Sequence, residues 1–389
     1  MNIELHILQN FAPSNLNRDD TGSPKSCDFG GYRRARISSQ AIKRAIRSEF
    51  KRGLLPIDNV AERSKRFRTV IGEILASRGR AATEAERVFD AALGGLGILS
   101  EQRGSEEDAE TLTEVLLFAD RSHLERFADV CDKNWDTLSD AYKNVWAPKK
   151  GKKPSKDEAK KAVAGLTKQL SDALDGCRSA DLALFGRMLA DLPGKNIDAA
   201  SQVAHAISTH QVNFDFDYYT AVDDRKPEDT AGADMIGTVE FNSACFYRYG
   251  NIDVAQLKTN LRGDDALTAK SVLAFLEASR DAIPTGKQNS FAAQNPPSFV
   301  FAVVRDSGFW SLANAFVKPV RPRGEEDVVQ LSVYALTRHW SDLAATYGAP
   351  SGTIAACALP SLEVPAPLDN VRVASYGDLV KRVMDAIGV

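Results

Sequence analysis

An α+β fold, in which a sheet domain is interrupted by a long helical insertion, is the class this sequence predicts, and three observations carry it. The opening "NIELHILQNF" places Ile3, Leu5 and Ile7 on one side with period two, the pattern of a half-buried strand. From about Val60 to about Ser179 the apolar spacing turns helical, in "VFDAALGGLGIL" and "AETLTEVLLFADRSHLERFADV". Beyond that, "ADLALFGRMLA", "TVEFNSACFYRY" and "PSFVFAVV" read as strands, with "LTAKSVLAFLEASRDAI" as a helix between two of them. Strands at both ends of the chain with helices between them argue for one sheet carrying an insertion.

The first strand is followed by a loop rich in turn formers, "APSNLNRDDTGSPKSCDFGG". Ser38 and Ser39 can then cap a helix whose buried stripe is Ile42, Ala45, Ile46 and Phe50, with Lys43, Arg44, Arg47 and Lys51 on its other faces. Inside the insertion, "APKKGKKPSKDEAKK" combines Pro, Gly and dense charge and reads as a surface loop, and "GGLG" at Gly94 to Gly97 reads as a helix break. Between Val212 and Val239 the ends are strand-like and the centre is rich in Asp, Pro and Gly, which suggests a hairpin projecting from the sheet.

The 389 residues, 43% hydrophobic and 26% charged, suffice for one large elaborated domain or two modest ones. No apolar run approaches the roughly 20 residues that cross a bilayer. The N-terminus lacks the basic-then-apolar layout of a signal peptide, so a cytoplasmic location is expected. Five dispersed cysteines, with no CxxC pair, fit reduced thiols better than a disulfide framework or a cysteine zinc site.

Net charge is only −3, but its distribution is uneven. Between Arg33 and Arg52 eight basic residues face one acidic residue, Glu49, so this window carries +7 and the remainder −10. A basic patch on an otherwise acidic chain attracts phosphate at one place and repels it elsewhere. The block "NRDDTGSPKSCDFGGYRRARISSQAIKRAIR" supplies Arg18, Lys25, Arg33, Arg34, Lys43, Arg44 and Arg47 as phosphate-directed charge. Its glycines, Gly22, Gly30 and Gly31, permit a backbone to lie close to a ligand. A solvated basic helix face explains the same spacing equally well. Tyr32 and Phe29 are placed to stack on a base, although aromatics in such positions are more often core.

Other constellations have weaker chemistry. His205 and His210 lie near Asp215 and Asp217, but a five-residue spacing does not put both histidines on one helix face as an i,i+4 zinc pair requires. The acidic pairs Asp19 with Asp20 and Asp223 with Asp224 are of a kind that binds Mg²⁺, yet in Gly- and Pro-containing loops such pairs are usually turn and capping residues.

At "LNRDDTGSPKSCDFGGYRRARISSQAIKRAIRSEF" the sequence resembles the CasC family, the repeated backbone subunit of the type I-E CRISPR Cascade complex. The likeness recurs in "ALFGRM", "AHAISTHQVNFDFDYYTAVDD", "GTVEFNSACFYRYGNIDVAQL" and "GKQNSFAAQNP". It implies an RRM-like (ferredoxin-like) palm from residues 1–59 and 180–389, helical fingers from 60–179 and a thumb hairpin at 212–239. It also implies a helical filament of copies on CRISPR RNA, in which each thumb reaches a neighbour's RNA segment and displaces a nucleotide. On the matching positions Arg18, Lys25, Gln40, Lys43, Arg44 and Arg47 hold the RNA backbone, with Lys287 as a further basic contact. Arg187 and Met188 face the RNA, and Met188 with Ile236 flanks the kinked nucleotide. Tyr32 stands where the family pattern expects a basic residue before "RRARISSQ".

The partners implied are CRISPR RNA, further copies of the chain, other Cascade subunits and target DNA met through guide pairing. No cofactor, metal, catalytic residue or membrane is expected. Guide-directed complexes leave sequence reading to base pairing, so their protein needs backbone contacts rather than base-edge recognition. The rival from another class is an RRM-like endoribonuclease using an acidic loop such as Asp223 and Asp224. A monomeric general single-strand binder is a third reading.

Overall fold

The alternating apolar residues of the first segment form strand β1 (Asn2–Ser14), followed by β2 (Ser26–Phe29), β3 (Tyr32–Ile37) and helix α1 (Ser39–Glu49). The computed structural model describes residues 1–103, 110–149, 153–174, 179–189, 193–221 and 235–388. Next come β4 (Glu62–Ser64), α2 (Phe67–Ser77), α3 (Ala82–Gly95), β5 (Ser100–Arg103), β6 (Glu110–Thr113), β7 (Leu117–Ala119), α4 (Arg121–Lys133), α5 (Trp135–Val145), α6 (Lys156–Ala162), α7 (Thr167–Ala173) and α8 (Ala180–Phe185). The remainder holds β8 (Ser201–Val203), β9 (Ala206–Ser208), β10 (Asp215–Ala221), β11 (Met235–Asp253), α9 (Val254–Asn260), α10 (Asp265–Asp281), α11 (Gln288–Phe291), β12 (Phe299–Arg305), α12 (Val328–Tyr347), β13 (Gly352–Ala358) and α13 (Tyr376–Ile387).

These elements divide into two compact units. The first comprises Met1–Leu54, Ser201–Ala255 and Ala269–Val389, and the second Leu55–Ala200 with Gln256–Thr268. The first unit contains an antiparallel sheet in the order β13-β12-β1-β11-β9-β3-β2, with β8 and β10 also paired to β11. Strand β1 lies between β11, with Leu5 opposite Gly250, and β12, with Leu5 opposite Ala302.

The half-buried strand expected at the N-terminus is in fact buried on both faces. Ile3, Leu5 and Ile7 are enclosed as expected, but Glu4, His6 and Leu8 are fully buried too. The physical reason is helical cover on each side of a central strand. Leu5 and Ile7 share a small cavity of about 20 Å³ with Ile42 and Ile46 of α1 and Phe275 of α10. Leu8 belongs to a second cluster with Tyr247, Phe301, Val333 and Trp340, whose last two members come from α12. The rings of Phe301 and Trp340 meet edge to face at 4.9 Å. Thus α1 and α12 cover opposite faces of the sheet.

The polar residues on the α12 side find internal partners, although Glu4 Oε2 and His6 Nε2, 3.7 Å apart, make no hydrogen bond. Glu4 pairs with Arg305 at 3.4 Å and accepts the Trp310 backbone N–H. His6 Nδ1 meets the Tyr247 hydroxyl at 2.8 Å, and that hydroxyl accepts the Leu312 N–H at 2.9 Å. Burial pushes the His6 imidazole below its ordinary value and the Tyr247 phenol above its own.

The second unit has its own core, in which Phe67, Ile71 and Leu75 of α2, Phe89 and Leu93 of α3 and Phe127 of α4 are all enclosed. The helical reading of this segment omitted two small antiparallel ladders, β4 with β7 and β5 with β6. Helix α3 stops at "GGLG", where Gly94 and Gly95 lie against Trp146 and Val163. "ADLALF", read as a strand, is the helix α8, with Ala180 through Leu184 all buried. A continuous apolar run carries no periodicity to separate a buried strand from a buried helix turn. The ends of the 212–239 excursion pair as expected, Asp215 opposite Phe241 and Ala221 opposite Met235. Its centre, with Asp223 and Asp224, lies outside the described residues, as do Cys177 and part of the charged stretch 147–161. Among the described residues, no helix is long and apolar enough to cross a membrane.

The buried His6 makes stability depend on pH. Its folded value lies below the ordinary 6.5, so the unfolded chain takes up a proton that the folded chain resists. Stability is therefore full above about 6.5 and is lost as pH falls below it. In urea titrations at pH 7.5 and 5.0, the unfolding midpoint should drop on the acid side, and His6→Phe should shrink that drop. Parallel curves for the two proteins would remove His6 from the account.

Candidate nucleic-acid interface

Helix α1 carries the basic face, and its placement follows from its cap and its apolar stripe. The Ser38 side chain accepts the Ala41 N–H at 3.3 Å, and the Ser38 N–H donates to Asn17 Oδ1 at 2.9 Å, which ties the helix start to the preceding loop. Ile42, Ala45, Ile46 and Phe50 are buried as the spacing requires. With that side fixed inward, Gln40, Arg44 and Ser48 fall on the exposed side one turn apart, and Lys43 and Arg47 form a half-buried row beside them. Partial burial lowers the Lys43 ammonium from its ordinary value.

The loop before β2 is held by its own polar groups. Asn15 Nδ2 donates to the carbonyls of Gly22 at 3.0 Å and Glu240 at 2.8 Å. Asp19 accepts from the Thr21 hydroxyl at 2.7 Å and from the backbone N–H of Thr21 and Ser23, each at 3.0 Å. The Thr21 hydroxyl is the main cause holding the Asp19 carboxyl below its usual range. Asp19 is thus a turn residue. Lys25 N–H donates to Asn17 O at 2.8 Å, and the Lys25 side chain is half-buried. Arg18 is exposed on the same loop.

A second segment closes the site. Asn17, Gln40, Arg44 and Ser48 line an open groove of about 430 Å³ whose far wall is Ile283 to Gly286. A side chain at Gly286 would place its Cβ 2.3 Å from Leu16 O, so glycine is what lets this wall approach the loop. Lys287 follows immediately in the left-handed region at φ 51° and is half-buried. Glu49, the acidic residue of the basic window, is paired to Arg52 at 2.7 Å. Asn17, Ser48 and Thr285 are not singled out by the sequence, and Arg52 only as the end of the basic window, although Gln40, Arg44, Ser48 and Arg52 recur at a four-residue spacing.

Two arginines assigned to ligand contact face inward instead. Arg34 is fully buried and donates to four backbone carbonyls, those of Ser208 and Thr209 at 2.9 Å each, Phe316 at 2.6 Å and Val317 at 3.2 Å. Its neighbour Arg33 points to the exposed side, as alternation along β3 requires. Arg187 is also buried, donating to the carbonyls of Phe118 at 3.4 Å, Leu174 at 3.2 Å and Lys195 at 2.9 Å. A guanidinium has five donors, so carbonyls left over by irregular backbone are natural partners for it inside a fold. Met188, the next residue, is 83% exposed. The side chain of Ile236 lies outside what the structure describes.

Gly30, read as a place for a ligand backbone, instead meets Val317, whose carbonyl oxygen lies 2.1 Å from the Cβ that any other residue would add. Tyr32 lies beneath the Arg321 guanidinium, 5.3 Å from ring centre, and Phe29 lies 5.8 Å from that of Arg34. Both rings are half-buried.

The histidines serve the backbone. His205 Nδ1 accepts the Ser39 N–H at the start of α1 and an Arg36 donor, both at 3.2 Å. His210 Nδ1 donates to Gln211 O at 2.8 Å, and its Nε2 accepts the Cys245 N–H at 3.4 Å. Burial is the first cause lowering each imidazole from its ordinary value. Among the described residues, no group of three or more His, Cys, Asp or Glu side chains is arranged to hold a metal ion.

The family model described as CT1975-like protein matches residues 3–384. Among solved structures, a chain of a "CRISPR RNA-guided surveillance complex, pre-nicking" is 28% identical with a TM-score of 0.84, covering 99% of this chain and 100% of that one. A chain of another "CRISPR RNA-guided surveillance complex" is 24% identical with a TM-score of 0.73 over the same shares, and its likeness is one of fold. No curated protein matches the chain.

The two adjacent arginines of β3 separate structure from surface. Replacing Arg34 with Met removes a donor from four carbonyls, of which Thr209 O keeps the Val320 N–H, and should lower the unfolding free energy by about 3 kcal/mol. Arg33→Met should change it by less than about 0.5 kcal/mol. Urea unfolding of the two variants checks this, and equal losses would contradict the assignment.

Proposed function

This chain belongs to the CT1975-like protein family, and we propose on that premise that it is the CasC-type backbone subunit of a type I-E Cascade, a scaffold that binds CRISPR RNA and is not itself an enzyme. The observation that carries this reading is the groove beside α1. Its cations, the exposed Arg44 and the Glu49-paired Arg52, come from α1 and the turn that follows it, and its other wall is main chain brought close by a glycine. Charge on one side and backbone on the other suit a phosphodiester chain held without reading its bases. The solved structure at 28% identity belongs to a complex guided by CRISPR RNA, which supports RNA as the occupant.

Topology supports an RRM-like palm. The sequence β1, α1, β9, β11, α10, β12 with neighbours β12-β1-β11-β9 reproduces the strand order 4-1-3-2 of a βαββαβ unit. An RRM stacks bases on its open sheet face. Here α12 covers one face and α1 the other, which directs RNA to the edge of α1.

On this reading residues 60–179 are fingers and 212–239 a thumb whose described ends form the β10–β11 ribbon, with Phe216 69% and Tyr218 63% exposed. Arg18, Lys25, Gln40, Lys43, Arg44, Arg47 and Lys287 follow the guide backbone, and Met188 with Ile236 flanks a displaced nucleotide. Successive copies join head to tail along the guide, since a heterologous contact that does not close generates a filament. Other Cascade subunits and, through guide pairing, target DNA complete the partners, in the cytoplasm.

Two outcomes test the proposal. Arg44→Ala with Arg47→Ala should flatten the slope of log affinity against log salt by about 1.4, from roughly 0.7 per phosphate on a single strand, without changing base preference. A loss confined to particular RNA sequences would contradict backbone binding. Labelled precursor RNA incubated with the protein and Mg²⁺ should stay intact, whereas cleavage abolished by Asp223→Ala or His210→Ala would make the chain a nuclease.

A further inference from the structure

A second basic groove lies on the other side of the sheet. It is an open cleft of about 760 Å³ between the Asn314–Glu326 loop and α12. Lys318, Arg321 and Arg323 stand on the loop wall, and Arg338 stands on the helix wall beside Tyr334. All four cations are exposed, and none has an ion-pair partner within 4 Å among the described residues. Arg321 has only the Tyr32 ring beneath it, at 5.3 Å. Two acids, Glu326 and Asp342, also line the cleft, so its lining carries a net +2 on a chain of net −3.

The loop wall is preorganised. Its start is pinned by Arg34 through the carbonyls of Phe316 and Val317, and Val320 N–H donates to Thr209 O at 2.9 Å. Glu326 accepts the Arg323 N–H at 2.8 Å, which spends that carboxylate on the turn. Pro319 and Pro322 stiffen the segment between. Unpaired like charges on a rigid wall repel one another in the free chain, and a polyanion relieves that repulsion while releasing its own counterions. Because α12 and α1 cover opposite faces of the sheet, a strand lying against α1 does not occupy this cleft.

We propose that the cleft between the Asn314–Glu326 loop and α12 binds the phosphodiester backbone of a second nucleic-acid strand, distinct from the one held beside α1. The shared chemistry is a single-stranded phosphate chain, whether DNA or RNA. Preferring nucleic acid to an acidic peptide rests on the guide-RNA reading above, because an arginine fork accepts phosphate and carboxylate alike.

The test uses the full chain, saturated with guide RNA, and labelled 20-nucleotide oligo-dT, oligo-U and poly-glutamate as probes. The triple variant Lys318→Ala, Arg323→Ala, Arg338→Ala should weaken oligonucleotide binding at least tenfold in ~0.1 M salt and flatten the salt slope by about 2. The charge-preserving set Lys318→Arg, Arg323→Lys, Arg338→Lys should retain both. Tighter binding of oligo-dT assigns the cleft to DNA, tighter binding of oligo-U assigns it to RNA, and either supports the proposal. Unchanged slopes in the triple variant, loss in the charge-preserving set, or poly-glutamate bound more tightly than both oligonucleotides would overturn it. In guide-free chain carrying Arg44→Ala and Arg47→Ala, the groove-dependent slope should persist. Failure of the guide reading would show separately, as undiminished guide loading in that α1 variant.

Discussion

Four backbone carbonyls from two distant segments converge on one guanidinium, that of Arg34, and much of the binding architecture depends on it. Two of the carbonyls belong to the end of β9 and its successor, and two to the segment after β12. A single side chain therefore fixes β3, the strand that delivers α1, and also fixes the start of the loop that walls the second groove. The contact is possible because Gly30 admits the Val317 backbone where any Cβ would collide with it. Charge that in the linear sequence resembles ligand-binding charge is here a structural joint, whereas its neighbour Arg33 faces the exposed side.

The second constraint is the enclosure of β1. A strand paired on both edges and covered on both faces leaves no open sheet surface to bind a ligand. Enclosing Glu4 and His6 requires partners, which Arg305, Trp310 and Tyr247 provide. The ordered interior in turn gives α1 a fixed seat, through Ile42 and Ile46, so the spacing of Gln40, Arg44 and Ser48 toward solvent is a property of the core as much as of the helix.

Much of this was legible in the sequence where periodicity and burial agree. The buried stripe of α1, the strands β1, β11 and β12, the helix α10 and the paired ends of the 212–239 excursion all follow from local pattern. Short apolar runs were not legible. "ADLALF" has no polar residue spaced to reveal its helical turn, and Glu4 and His6 read as a solvent face because the covering helix α12 lies more than three hundred residues downstream. Nor does local pattern say which arginines turn inward, since the carbonyls that receive Arg34 and Arg187 come from remote segments. Part of the groove was legible in principle, in the four-residue spacing from Gln40 to Arg52, but its opposite wall depends on the contact between Gly286 and Leu16.

The central claim is that guide RNA lies in the groove between α1 and the Ile283–Gly286 wall. Ultraviolet crosslinking of the purified ribonucleoprotein, followed by mass spectrometry of the peptides joined to RNA, reads this directly. The account predicts crosslinks concentrated on peptides containing residues 17–25, 40–52 and 283–288, with further ones at Met188 or Ile236 and none on the enclosed side chains of Arg34 and Arg187. Crosslinks confined to the α12 side, with the α1 peptides unmodified, would contradict it.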